Sequence, residues 1–307
     1  MYLYLSQQTI SEKGILDLLS TFKSSIFFYI LIVTTLIINS NSQVTKPLST
    51  EVGTSEAIRL LNKKNIQNIN EYKDLSQKNK QWIAGLIDGT GFFYLSKKGY
   101  AKLDITMDTK DERALQTVKN VYGGSIKLKS GGGKLRYRLH NKEGLLNLVE
   151  DVNGRIRTSN RILQLNRICV KYGIALIYPY KLSLDNGWLS GFLDARAIIA
   201  IKDQKMMISV HHETYDLFKQ LYDIHKGKIA IDTGGNGSFV WYLEEKVDIL
   251  NIIEYFKKYP LKSTKNKDLH LIPKFYQLIK CKANVADVNS RLANLWKSFL
   301  GKWYSTL

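Results

Sequence analysis

The sequence predicts an α+β fold built from two pseudo-symmetric αββαββα halves, joined at a pair of apolar helices, with an N-terminal extension and a C-terminal helix. Three observations lead there. A ten-residue segment, Trp82-Ile83-Ala84-Gly85-Leu86-Ile87-Asp88-Gly89-Thr90-Gly91, returns 106 positions later as Trp188-Leu189-Ser190-Gly191-Phe192-Leu193-Asp194-Ala195-Arg196-Ala197. The stretches that follow each copy match in kind and order, and self-similarity at a fixed offset usually marks duplicated units. The chain has 307 residues, 44% of them hydrophobic, which is enough to bury a core.

Residues 1–76 read as the N-terminal extension. The run Ile26 to Ile38 (IFFYILIVTTLII) carries no charge, yet it falls short of the roughly 20 apolar residues that cross a bilayer. A buried helix or strand, a membrane anchor widened towards Phe22, and a remnant of an upstream membrane-protein exon all fit it. From Asn39 to about Ser76 the chain is rich in Ser, Thr, Asn and Lys, which reads as a linker with one short helix near Ser55 to Asn62. The start lacks an Arg-rich, acid-poor import pattern, because Glu12 and Asp17 interrupt it and Lys13 and Lys23 are its only bases.

The first half spans 77–180 and the second 181–280. Each opens on the repeated segment as a helix. Alternation at Leu103 to Met107 predicts a strand and is echoed at Met207 to Val210. Gly124-Ser125-Ile126 is answered by Gly227-Lys228-Ile229, and Arg136 to Leu139 by Val240 to Leu243. The helical pattern of Lys142 to Val149 is answered by Lys246 to Ile253, so each unit reads helix, two strands, helix, two strands, helix. Gly131 to Gly133, and Gly234, Gly235 and Gly237, sit at matching places and read as hairpin turns, since no strand-loop-helix context or GK[ST] follows them.

In the two opening helices small residues lie one turn apart, Gly85 with Gly89 and Gly191 with Ala195. That spacing lets two helix backbones approach closely, so the expected interface comprises Ala84, Gly85, Asp88 and Gly89 against Ser190, Gly191, Asp194 and Ala195. Taken singly, such a stripe is ordinary core packing. Two registered copies heading matched units are a stronger signal.

Here the sequence resembles the LAGLIDADG homing endonucleases and group I intron maturases of the double-motif, monomeric type. The first motif keeps six of the nine letters, the second keeps four, and the duplicated layout covers about Gln81 to Ile279. The resemblance implies two antiparallel sheets forming a saddle, with an acid at the eighth motif position of each half holding divalent metal over the scissile phosphates. Here those positions are Thr90 and Arg196, so no catalytic residue and no metal or cofactor is assigned; Mg²⁺ enters only if the chain still cuts. A metal-assisted phosphodiester cut needs hard carboxylate oxygens, and Arg196 sets a fixed positive charge where the cation belongs. Asp88 and Asp194, at the sixth position, lie roughly 200° around the helix from the eighth and should point elsewhere, to cap or hydrogen-bond at the helix ends. Ala197 replaces the closing glycine, which would rebuild the turn into the first strand of the second half.

A formal charge of +18 favours a polyanionic partner, because cations that neutralise phosphates release counterions. Nucleic acid comes first and an anionic membrane second. Lys127 with Lys129, and Arg136 with Arg138, alternate and so project from one strand face each; with Lys97, Lys98 and Lys134 at strand ends they form the candidate nucleic-acid surface. A solvated sheet face is the plainer reading. Residues 82–180 carry net +9 and residues 181–280 net +3, and the counterpart of the Arg136 strand is the apolar Ser238 to Leu243. Its aromatics either stack on bases, bury against a partner, or form core.

Little else carries chemistry. Cys169 and Cys281 form no metal-ligand spacing, and His211-His212 builds no ligand set. In 281–307, Val285, Val288, Leu292, Leu295, Phe299 and Trp303 recur at three- and four-residue spacing with Trp296 nearby, which predicts an amphipathic helix over 285–303 that docks on its own domain or on a protein partner. Function then falls into three classes: a cleavage-deficient RNA-binding protein, acting on intron RNA as a maturase or as a ribosomal or other ribonucleoprotein component; an Mg²⁺-dependent site-specific DNA endonuclease; or a membrane-tethered or protein-interaction scaffold. Lys outnumbers Arg 35 to 10 in a sequence crowded with Asn and Ile, a pattern of AT-rich coding DNA that fits a mitochondrial, and mitochondrially encoded, protein.

Overall fold

A computed structural model describes residues 76–305 other than 233–236, so the apolar run 26–38 and the expected linker lie outside the described residues. Helix α1 (76–90) leads without a break into β1 (Gly91–Leu95). Glycine is needed at that junction, since a Cβ on Gly91 would lie 2.7 Å from the Ile87 Cα. β2 (Ala101–Asp108) turns Ala101, Leu103, Ile105 and Met107 inward and leaves Lys102, Asp104 and Thr106 on the other face, the alternation of a half-buried strand.

A short 3₁₀ turn, Thr109–Asp111, passes into α2 (Glu112–Tyr122), which buries Ala114, Leu115, Val118 and Tyr122 at helical spacing. Gly123 and Gly124 follow at positive φ, which stops the helix and starts β3 (Ser125–Leu128). β4 (Lys134–Leu139) and α3 (Lys142–Val152) complete the unit; the Asn141 side chain caps α3 by accepting from the Glu143 N–H at 3.1 Å.

The second half repeats the plan with α5 (Trp188–Arg196), β5 (Ile198–Lys202), β6 (Lys205–His212), α6 (Tyr215–His225), β7 (Lys228–Ile231), β8 (Phe239–Leu243) and α7 (Lys246–Lys258). The two four-stranded sheets are antiparallel, in the orders β1-β2-β4-β3 and β5-β6-β8-β7. Each half also carries one helix more than the sequence pattern indicated: α4 (Ser159–Tyr172) and α8 (Lys265–Lys280). α4 lies along the free edge of β1, where the Gln164 side chain accepts the Phe93 N–H at 3.1 Å and covers a donor that strand pairing leaves over. Pro273 inside α8 reads as a breaker, yet Leu269, Ile272, Phe275 and Leu278 are buried along one face.

At the end of the chain the expected helix over 285–303 is shorter. Val285 belongs to a 3₁₀ turn, Val288 is exposed, and α9 (Arg291–Tyr304) starts after Ser290, whose Oγ accepts the Ala293 N–H at 3.1 Å. The N-cap fixes that boundary. α9 docks on its own domain, with Phe299 and Trp303 buried and Trp296 and Phe299 packed on Phe275 of α8. Among the described residues no helix is long and apolar enough to cross a membrane.

Candidate nucleic-acid interface

α1 and α5 meet backbone to backbone. A Cβ on Gly85 would fall 1.9 Å from the Trp188 carbonyl oxygen, and one on Gly191 would fall 1.8 Å from that of Trp82. One turn on, a Cβ on Gly89 would lie 2.2 Å from the Ala195 Cβ. Ala84 and Ser190 are buried in the same helices, and the Ser190 hydroxyl donates to the Gly187 carbonyl at 2.7 Å.

The sixth-position acids tie this pair together crosswise. Asp88 accepts the indole N–H of Trp188, from the opposite helix, at 2.7 Å, while Asp194 accepts that of Trp82 at 2.7 Å. Asp88 also receives the backbone N–H groups of Arg157 and Thr158 and the Thr158 hydroxyl, just before α4. Asp194 receives those of Lys262 and Ser263 and the Ser263 hydroxyl, just before α8. The Arg157 guanidinium lies over the Trp188 ring at 5.7 Å and the Lys262 ammonium over the Trp82 ring at 4.4 Å. Burial pushes the Asp88 carboxyl up to about 6 and raises Asp194 as well, against the pull of these hydrogen bonds. Each aspartate therefore binds two helices and a following segment, a wider task than capping its own helix.

The eighth positions hold no metal set. The Thr90 hydroxyl is buried without a hydrogen-bond partner, and Arg196 Nε donates to the Gly89 carbonyl of the other half at 2.5 Å. Asp88 and Asp194 already receive four donors each, and among the described residues no group of three or more His, Cys, Asp or Glu is placed to hold a metal ion. A hard divalent cation does not fit this donor set. Arg196 instead lines a cavity of about 290 Å³ with Arg161, Asn160, His211, His212 and Glu213, next to the start of α4. Arg161 Nε is buried there without a partner, and burial, with Arg196 and Arg161 nearby, lowers His212 to about 4, so its imidazole is neutral at pH 7. The cavity thus sets two guanidiniums beside the carboxyls of Asp88 and Glu213.

On the sheet of the first half, Lys127 pairs across with Arg136, and Asp104 with Arg138, all on the face opposite the core. Lys129 follows β3 and hydrogen-bonds through its backbone to Lys134, the first residue of β4. Arg138 grips Asp104 with two bonds of 2.8 and 3.0 Å; burial pushes that carboxyl up, but Arg138 and Lys102 outweigh it and hold it below the usual range. Lys97 and Lys98 sit in the turn between β1 and β2. The structure thus gathers Lys127, Lys129, Lys134, Arg136 and Arg138 on one face and puts Lys97 and Lys98 at its end.

A protein-family model described as "LAGLIDADG endonuclease" matches residues 83–171 and again 189–276. The chain belongs to that family. It is 40% identical to the "Intron-encoded RNA maturase bI4" of Saccharomyces cerevisiae over 76% of this chain and 38% of that protein. With the "Intron-encoded DNA endonuclease ai2b" of Dictyostelium discoideum it shares 35% identity over 72% of this chain and 88% of that one. The chain thus spans well under half the length of its maturase relative. Among solved structures it resembles the I-LtrWI LAGLIDADG homing endonuclease bound to target DNA, with a TM-score of 0.54 and 16% identity over 75% of this chain and 97% of that one, a likeness of fold.

The second LAGLIDADG half presents a different face. Lys202, Lys205, Met207, Ser209, His211, Val240 and Tyr242 line its groove, and Lys228 is ion-paired with Glu244. Trp241, a candidate for stacking on bases, is fully buried and donates its indole N–H to the Lys226 carbonyl at 2.8 Å, so for this ring the core reading holds, whereas Tyr242 stays on the groove face. Two sets of residues escaped the sequence reading. The Asp88 and Asp194 partners carry a signal, because Arg157-Thr158-Ser159 recurs as Lys262-Ser263-Thr264. The other is the pair of exposed rings, Phe92 and Tyr94, on β1.

Proposed function

We propose that this chain is an RNA-binding member of the LAGLIDADG family that keeps the two-sheet groove and has given up cleavage, acting in mitochondria on intron RNA in the manner of a maturase. The observation that carries the reading is the Arg196 guanidinium, bonded to the Gly89 carbonyl at 2.5 Å, in the place where the family sets a metal-holding acid. Thr90 offers only a neutral hydroxyl opposite it, so neither half supplies a carboxylate to charge a metal site. Arg196 and Arg161 would contact a backbone phosphate in the central cavity, while Lys127, Lys129, Lys134, Arg136 and Arg138, with Lys97 and Lys98 at the turn, would follow the backbone along the first sheet. Support for RNA over DNA comes from the 40% identity to a relative named as an RNA maturase, and an intron-encoded origin accords with the Lys-, Asn- and Ile-rich composition.

The test is to incubate the full chain and Mg²⁺ with duplex DNA spanning its own gene's intron-insertion site, in parallel with binding to the transcribed intron. The expected result is RNA binding that weakens steeply with salt and no cut. A specific, Mg²⁺-dependent double-strand cut would overturn the reading in favour of an active endonuclease.

A further inference from the structure

In antiparallel sheets with one wet face, the outward residues are normally polar. β1 breaks that rule. Phe93 points to the core, whereas Phe92 and Tyr94 stand on the groove face with 47% and 45% of their area exposed. They sit in register with the charged strand beside them, Phe92 opposite Asp104 and Tyr94 opposite Lys102. Each ring already has a cation against it: the Arg161 guanidinium is 6.0 Å from the Phe92 centroid, and the Lys102 ammonium 5.3 Å from that of Tyr94. At the outer end of β1 the surface deepens into a cavity of about 580 Å³, where Tyr94 is joined by Tyr100, Lys102, His140, Lys142 and Tyr172.

We infer that Phe92 and Tyr94 form a stacking platform for unpaired bases of RNA, with the outer cavity receiving a base splayed out of its strand; the inference rests on the RNA-binding reading above and names the part of an RNA that this half would take. An exposed ring flanked by cations suits a base joined to a phosphate, because the π-face stacks while the cations meet the backbone. Bases inside a duplex offer no such face, whereas loops and bulges do. The surroundings match in charge, with Lys97 and Lys98 in the turn beyond Tyr94 and Arg138 in the row of Phe92. The positions answering Phe92 and Tyr94 in β5 are Ile198 and Ala200, so the paired rings belong to the strand that opens the basic half.

The experiment measures binding of the full chain to a fluorescent single-stranded RNA of mixed sequence and to the same RNA annealed to its complement, across a salt series. Phe92→Ala/Tyr94→Ala should lose about tenfold in affinity per ring for the single strand, with little change for the duplex and an unchanged salt slope. Phe92→Tyr/Tyr94→Phe, which keeps both rings, should bind as the parent does. Equal losses on single strand and duplex, or no loss on either, would overturn the platform while leaving RNA binding intact. If the parent protein binds neither RNA in a salt-dependent way, the platform and the broader reading fail together. Unchanged circular dichroism and melting of the alanine variant, together with the expected loss, assign the effect to the rings.

Discussion

At the helix pair the two halves are nearly interchangeable, and at the sheet faces they are not. Gly85 and Gly191 approach the opposite backbone within 0.1 Å of the same distance, 1.9 and 1.8 Å for an added Cβ. Asp88 and Asp194 each receive an indole, two backbone N–H groups and a hydroxyl from matching places. On the sheet faces, by contrast, the positions of Phe92, Tyr94, Arg136 and Lys127 are answered in the second half by Ile198, Ala200, Val240 and Ala230. The duplicated sequence was held at the helix pair and free to drift on the sheet faces. A backbone contact without room for a methyl group constrains both copies equally, while a solvent face tolerates most substitutions.

The largest effect should come from the contact that the halves share. Gly85→Val and Gly191→Val each drive side-chain carbon into a carbonyl oxygen, and neither helix can move without disturbing the indole-carboxylate bonds. Overpacking of this kind costs about 3 kcal/mol or more, so both variants should be severely destabilised in urea melts, and to similar extents. If one is tolerated and the other is not, the symmetry drawn from the glycines is broken.

Acid should separate the halves next. Burial lowers His225 to about 4, and burial with Arg196 and Arg161 does the same to His212; both lie in the second half. A histidine whose folded value is depressed contributes stability above its unfolded value of 6.5, and that stability is lost as pH falls towards 4. A drop from 6.5 to about 4 corresponds to a loss of up to about 3 kcal/mol per residue. Asp88, raised to about 6, and Asp194 work in the opposite sense, since they take up protons in the folded state first, and they do so once in each half. His225→Phe should therefore flatten the fall in stability between pH 7 and about pH 4, whatever it costs at neutral pH. An unchanged pH dependence would show that His225 is not a source of the second half's acid sensitivity.

How much of this was legible in the sequence depended on whether one residue type could occupy only one place. Small residues one turn apart, repeated in register with Trp and Asp, gave the helix pair, and clean alternation in Leu103 to Met107 gave the face of β2. β1 (GFFYL) and β8 (FVWYL) are almost wholly apolar, so a period of two cannot say which side is in. Pairing decided it: Trp241 stands opposite Val210 in the core, and Phe92 opposite Asp104 in the groove. The exchange of indoles between Asp88 and Asp194 joins residues about a hundred positions apart, which local pattern cannot show. α4 buries Leu165, Ile168 and Cys169 at helical spacing, a stripe the sequence does carry, but its use of Gln164 to cover a sheet edge joins residues about seventy positions apart and leaves no local trace.

A smaller effect concerns the electrostatic grip of the two sheets. Lys127 and Arg136 are cross-strand partners on the groove face of the first sheet, with Thr106 completing their row. Lys202 and Lys205, paired on the second sheet, share their groove with Asp203 and Glu244. Each cation that contacts a single-strand phosphate contributes about 0.7 to the slope of log affinity against log salt. Lys127→Ala/Arg136→Ala should thus reduce that slope on RNA by roughly 1.4 and weaken binding about tenfold at low salt, whereas Lys202→Ala/Lys205→Ala should change it by less than about 0.5, because nearby carboxylates already neutralise part of their charge. Equal reductions would mean that both sheets hold the backbone, and that the net charges of +9 and +3 misstate how the two faces are used.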